Sequence, residues 1–75
     1  MEERIISIIK EITPIPGYKV TKRSFLQKDL GLDMIDLFQL VLMLENEFFI
    51  HIPDDDSALF ETVGEVQEYV SQKLL

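Results

Sequence analysis

The chain has 75 residues, 47% of them hydrophobic and 28% charged, which is one small globular domain rather than a disordered segment. A chain this short buries only about 60% of the surface it exposes when unfolded, so its core is thin and its stability about 4–11 kcal/mol. With no cysteine and a single histidine, disulfide frameworks, catalytic thiols and multi-imidazole zinc sites are excluded. Seven Lys/Arg oppose fourteen Asp/Glu, for a net charge of −7, and the two signs are segregated. Residues 1–28 hold six of the bases (Arg4, Lys10, Lys19, Lys22, Arg23, Lys28) and three acids, which leaves eleven acids and no Lys or Arg in residues 29–72. That half repels phosphate backbones and attracts basic protein partners, or simply keeps a small domain soluble.

Ile5, Ile8, Ile9 and Ile12 recur at i, i+3, i+4, i+7 and predict a first helix over about residues 2–13, ended by Pro14 and Pro16-Gly17. Residues 14–32 lack sustained periodicity. A connection of 19 residues is long for a compact domain, so its apolar residues Tyr18, Val20, Phe25, Leu26, Leu30 and Leu32 are expected to anchor it. Asp33 then reads as a helix N-cap, with Asp36 three residues on completing a capping-box-like pair. Of the ten residues 35–44, eight are apolar, and no single helical stripe accounts for them. In so small a domain part of that surface must face solvent or a partner.

Phe48–Ile52 is rich in β-branched and aromatic residues, but no second strand is near to pair with it, so a helix end and loop are expected. His51, between two isoleucines, is expected to be partly buried. Pro53–Asp56 leads into a short helical piece expected to contain Leu59 and Phe60. Thr62–Glu65 is a capping box, and Val63, Val66, Tyr69 and Val70 place the last helix at about 63–73. An EF-hand count from Asp54 puts Asp56 and Glu65 at ligand positions, but Leu59 stands where the loop needs glycine, so a solvated, helix-capping acid run is the better reading. No catalytic constellation emerges. The longest uninterrupted apolar run, Leu40–Leu44, is far below the roughly 18 residues that span a bilayer. The expected architecture is all-α: residues 1–75 as a single domain, three main helices plus one short one, with a long first loop.

The run Ser24–Asp36 (SFLQKDLGLDMID) resembles the core signature of acyl carrier proteins. Leu40-Val41, Leu44-Glu45, Glu47-Phe48, Ile52-Pro53-Asp54, Thr62-Val63 and Tyr69-Val70 continue the likeness over essentially the whole chain. The resemblance implies an acyl-carrier-like bundle, not an enzyme, working in fatty-acid or polyketide-type acyl metabolism. It also implies an interior lined here by Ile5, Ile9, Leu40, Leu44, Phe48, Phe60, Val63 and Tyr69.

The family's serine, which carries 4′-phosphopantetheine as a phosphodiester at a helix N-terminus, falls on Met34 beside Asp33. A thioether cannot form that bond, and residues 29–56 contain no Ser or Thr. As the sequence stands no cofactor is expected, and the interior should close as filled core. The function that follows is a carrier-like interaction module acting through helix two, with Ile35, Asp36, Phe38, Gln39, Leu42, Glu45 and Glu47 as the partner-binding surface. Its expected partners are acyl-handling enzymes with basic surfaces, in the cytoplasm, with no nucleic acid and no membrane. Two alternatives stay open: an ordinary carrier whose serine at position 34 has been replaced, and a small acidic regulatory or inhibitory protein. For Phe38 and Leu42, extra core packing competes with outward exposure. A monomer is the expected state, although the apolar surface of helix two leaves self-association open.

Overall fold

The computed structural model describes residues 2–75. Its elements are α1 (Glu2–Ile12), a 3-10 turn (Gly17–Lys19), α2 (Met34–Phe48), α3 (Asp54–Ser57) and α4 (Val63–Lys73). The periodic isoleucines bury one side of α1, with Ile5, Ile8 and Ile9 in the core. α1 packs against both α2 and α4. From α2 come Leu40, Val41, Leu44 and Phe48, and from α4 come Val63, Val66 and Val70. All join one continuous apolar cluster. Burying each such side chain contributes about 1.5–3 kcal/mol, so this cluster is what holds helices of only modest intrinsic propensity together.

The first loop is structured by the segment that leads into α4. Leu26 N–H donates to Glu61 O at 2.8 Å, Val63 N–H to Ser24 O at 3.0 Å and Gly64 N–H to Lys22 O at 2.8 Å. Phe25 and Thr62 thereby form an isolated antiparallel bridge. A β-carbon on Gly64 would stand 3.0 Å from the Lys22 carbonyl oxygen, which explains a glycine in the first turn of a helix. Thr13 Oγ1 ties the end of α1 to the loop by donating to Leu30 O.

Four of the expected anchors, Val20, Leu26, Leu30 and Leu32, are buried, but Tyr18 and Phe25 are exposed. Around the bridge the chain is extended, so side chains alternate: Ser24 and Leu26 point in and Phe25 points out. Tyr18 sits in the middle of the 3-10 turn, which buries none of its residues.

Three expectations about the second half are corrected. The short helix is Asp54–Ser57, and Leu59 and Phe60 follow it in turns held by Leu59 N–H to Asp56 O and Phe60 N–H to Ser57 O, both 3.1 Å. His51 is not a packing residue. Its side chain is 84% exposed, because Ile52 takes the inward position. Phe60 and Tyr69 are only half-buried at the edge of the core, whereas Ile5, Ile9, Leu40, Leu44, Phe48 and Val63 are buried as expected.

Candidate functional site

Each residue of the Asp29–Asp36 run has a local task. Asp29 Oδ2 accepts from Phe25 N–H at 2.8 Å and closes the turn before it. Leu30 and Leu32 are buried on either side of Gly31, whose φ of 70° is left-handed backbone that favours glycine. Asp33 then caps α2. Its Oδ1 accepts from Asp36 N–H at 2.8 Å, and Asp36 Oδ2 accepts in return from Asp33 N–H at 3.1 Å. Both carboxylates also lie at the positive end of the helix dipole. The chain therefore delivers position 34 as the first residue of α2, at a helix N-terminus, with its side chain pointing outward.

From there an apolar stripe runs along the outer side of the helix. Met34 is 81% exposed, Ile35 77%, Phe38 63% and Leu42 49%. Phe38 and Leu42 are thus not additions to the core. Gln39 lies among them, and Asn46 extends the exposed side one turn further. The remaining sequence candidates are engaged elsewhere. Asp33 and Asp36 are turned onto the helix terminus. Glu45 Oε2 accepts from Ile52 N–H at 2.7 Å and lies 3.3 Å from His51 Nδ1, so this carboxylate folds back into the α2–α3 loop. Glu47 points toward α1, where Arg4 Nε donates to its Oε2 at 2.7 Å. The Arg4 guanidinium in turn covers the Phe48 ring at 4.8 Å. The structure brings together Met34, Ile35, Phe38, Gln39 and Leu42, and separates them from Glu45 and Glu47.

Between α2 and α3 lies a cleft of about 350 Å³, lined by Met34, Leu37, Phe38, Val41 and Phe60, with Asp54, Ser57 and Ala58 on the α3 side. This cleft is open to the surface, whereas Ile5, Ile9, Leu40, Leu44 and Val63 are fully buried in the core. Sequence reasoning missed the α3 contribution, since a helix of four residues leaves no periodic signal. Ser57 is the one hydroxyl on the cleft wall, and its Oγ donates to Asp54 O at 3.1 Å. α3 is fastened on its other side to α4: Tyr69 OH donates to Asp56 Oδ2 at 2.6 Å, and the Phe60 and Tyr69 rings meet edge to face with centroids 5.2 Å apart. Partial burial, that hydrogen bond and the nearby Asp56 and Glu45 carboxylates push the Tyr69 hydroxyl up to about 12. Among the described residues no acidic or histidine cluster is arranged to hold a metal ion, and no helix is long and apolar enough to cross a membrane.

Comparison with known proteins decides the family. Residues 3–70 match the phosphopantetheine attachment site family. The chain belongs to the acyl carrier protein family. It is 34% identical over 74 residues to the acyl carrier protein of Amoebophilus asiaticus, covering 99% of this chain and 92% of that one. It is 35% identical over 72 residues to the acyl carrier protein of Clostridium perfringens, covering 96% and 95%. Among solved structures, one described as a candidate acyl carrier protein of Mycobacterium tuberculosis superimposes with a TM-score of 0.84 at 38% identity, over 95% of both chains. The acyl-carrier fold and the family of small carrier domains are thereby established for this chain.

Proposed function

We propose that this protein is an acyl-carrier-like interaction module that does not carry phosphopantetheine at position 34 and that acts through the outer face of α2. The observation that carries the reading is Met34 itself. It occupies the first position of α2, between the capping carboxylates, with a thioether and no hydroxyl. The group does not fit there, because a phosphodiester needs an oxygen that methionine lacks. Ser57, the only hydroxyl on the adjacent cleft, is half-buried and occupied with Asp54 O. What α2 offers instead is an exposed apolar strip within an acidic half of the chain, the composition of a protein-binding face with apolar anchors and a charged rim. The partners that suit it are cytoplasmic acyl-handling enzymes whose docking surfaces are apolar at the centre and basic at the edge.

Two measurements test this. The intact mass of the protein isolated from its own host should equal that of the sequence as written. A mass shifted by a Met-to-Ser exchange plus one phosphopantetheine arm would overturn the reading in favour of an ordinary carrier. Binding to acyl-handling enzymes should weaken about 10-fold or more for Phe38→Ala, the loss of a central aromatic anchor. Unchanged affinity for both Phe38→Ala and Asp36→Lys would remove α2 as the docking face.

A further inference from the structure

The bases of the first loop are left without acidic partners. The ion pairs join Arg4 to Glu47 and His51 to Glu45, and among the described residues none takes up Lys19, Lys22, Arg23 or Lys28. In a chain with fourteen acids against seven bases, partners of the right sign are plentiful, so this separation reflects placement and not supply. Two of these bases, Lys19 and Arg23, stand on the wall of one open pocket of about 410 Å³, together with Thr21 and Ser24. The backbone that carries them is fixed from both sides. Val20 N–H donates to Gly17 O and Ser24 N–H to Thr21 O, both at 3.0 Å, while Lys22 O and Ser24 O accept from Gly64 and Val63 at the start of α4. The charges therefore sit on a preorganised platform rather than on a free loop.

The two hydroxyls add a donor that the protein itself does not use. Ser24 is buried, and its Oγ accepts from Thr21 N–H at 3.0 Å. Thr21 Oγ1 accepts from Arg23 N–H at 3.2 Å. The two oxygens lie 3.4 Å apart, so one O–H can donate to the other. Each hydroxyl has a single proton to give. Whichever way that bond runs, the second proton has no acceptor among the described residues and stays available on the pocket wall. We propose that this pocket binds the phosphate group of a small phosphate monoester, with Lys19 and Arg23 as counter-charges and the spare hydroxyl as a neutral donor. A dianion matches two cations, and its terminal oxygens match the three donating groups. Ile15 and Leu30 complete the wall with apolar atoms, against which the organic part of the ester rests. Asp29 also lines the pocket. Its Oδ2 is engaged by Phe25 N–H at 2.8 Å, and its charge opposes the ligand, which sets a weak affinity of about 1 mM. The site uses no residue of the α2 face, so it stands or falls apart from the function proposed above.

The test is a titration of the isotope-labelled full chain with phenyl phosphate and, separately, inorganic phosphate, followed by the NMR shifts of the backbone amides. Ionic strength is held constant with NaCl, at about pH 7.5, where the monoester is mostly dianionic. Saturable shifts centred on Lys19–Ser24 are expected, with half-saturation at about 1 mM for phenyl phosphate. The double substitution Lys19→Gln and Arg23→Gln, both at exposed positions, should weaken binding about 10-fold or more with the helical circular-dichroism signal intact. Lys73→Gln makes a charge change of the same sign off the pocket and should leave the affinity unaltered. Shifts that grow without saturating, that spread equally to Lys10 and Lys73, or that survive the double substitution overturn the site. Shifts centred on α2 overturn it too, since they would place the phenyl ring in the α2–α3 cleft. Phenyl phosphate is expected to bind about 3-fold or more tighter than inorganic phosphate through Ile15 and Leu30. Equal affinities would overturn the ester and leave free phosphate as the ligand.

Discussion

The two sides of α2 are nearly alike in composition and opposite in fate. Leu40, Val41, Leu44 and Phe48 are buried against α1, α4 and the first loop, while Met34, Ile35, Phe38 and Leu42 stand in solvent. Hydrophobicity alone does not say which side is which, because both are aliphatic and aromatic. The difference is supplied by the rest of the molecule. A domain of 75 residues has one layer of helices to set against α2, and that layer covers only one side. The uncovered side is then available for function, and the acids of this half, turned onto the helix terminus, into the following loop or toward α1, leave it clear.

The largest expected effect tests the covered side. Leu44 is fully buried, so Leu44→Ala should lower stability by about 2–5 kcal/mol, a large share of the total for a domain this size. Urea unfolding followed by circular dichroism would show a lower midpoint or an unfolded chain. The same truncation at Leu42, two residues away on the open side, should cost no more than about 0.5 kcal/mol. Equal losses at the two positions would erase the contrast between the faces.

The helix start should respond at an intermediate level. Asp33→Ala removes the side-chain half of the capping box and should cost about 0.5–2 kcal/mol in the same unfolding experiment, without changing the pattern of exposure along α2. A smaller effect is expected at the α3–α4 fastening. The Tyr69 hydroxyl is raised to about 12, above its ordinary 10.0, so the stability it contributes is complete below pH 10 and is lost as pH rises from 10 to 12. Tyr69→Phe should therefore flatten the alkaline loss of stability in that window and cost about 0.5–1.5 kcal/mol at neutral pH through the missing Asp56 bond. An alkaline profile that Tyr69→Phe leaves unaltered would show that α3 is held by other contacts.

Much of the fold was legible because its signals are local. The isoleucine period of α1, the Asp33–Asp36 and Thr62–Glu65 capping boxes and the prolines that stop the helices each operate within a few residues, and the observed helices begin and end where those signals place them. The candidate site was legible only in part. Met34 and its place at a helix N-terminus follow from the run of residues around it, and so does an excess of apolar surface on α2. That Glu47 turns to Arg4 and Glu45 to Ile52 was not, since those contacts join residues 43 and 7 positions apart.

By itself, then, the sequence determined where the three main helices lie, the charge segregation and the chemistry of position 34, because capping, periodicity and functional groups are properties of short stretches of chain. Only the tertiary structure decided which side of α2 is core, that Phe25 and His51 face outward, and that a cleft opens between α2 and α3. Those outcomes depend on which surfaces a domain this small can cover at once, and covering is a property of the packed whole.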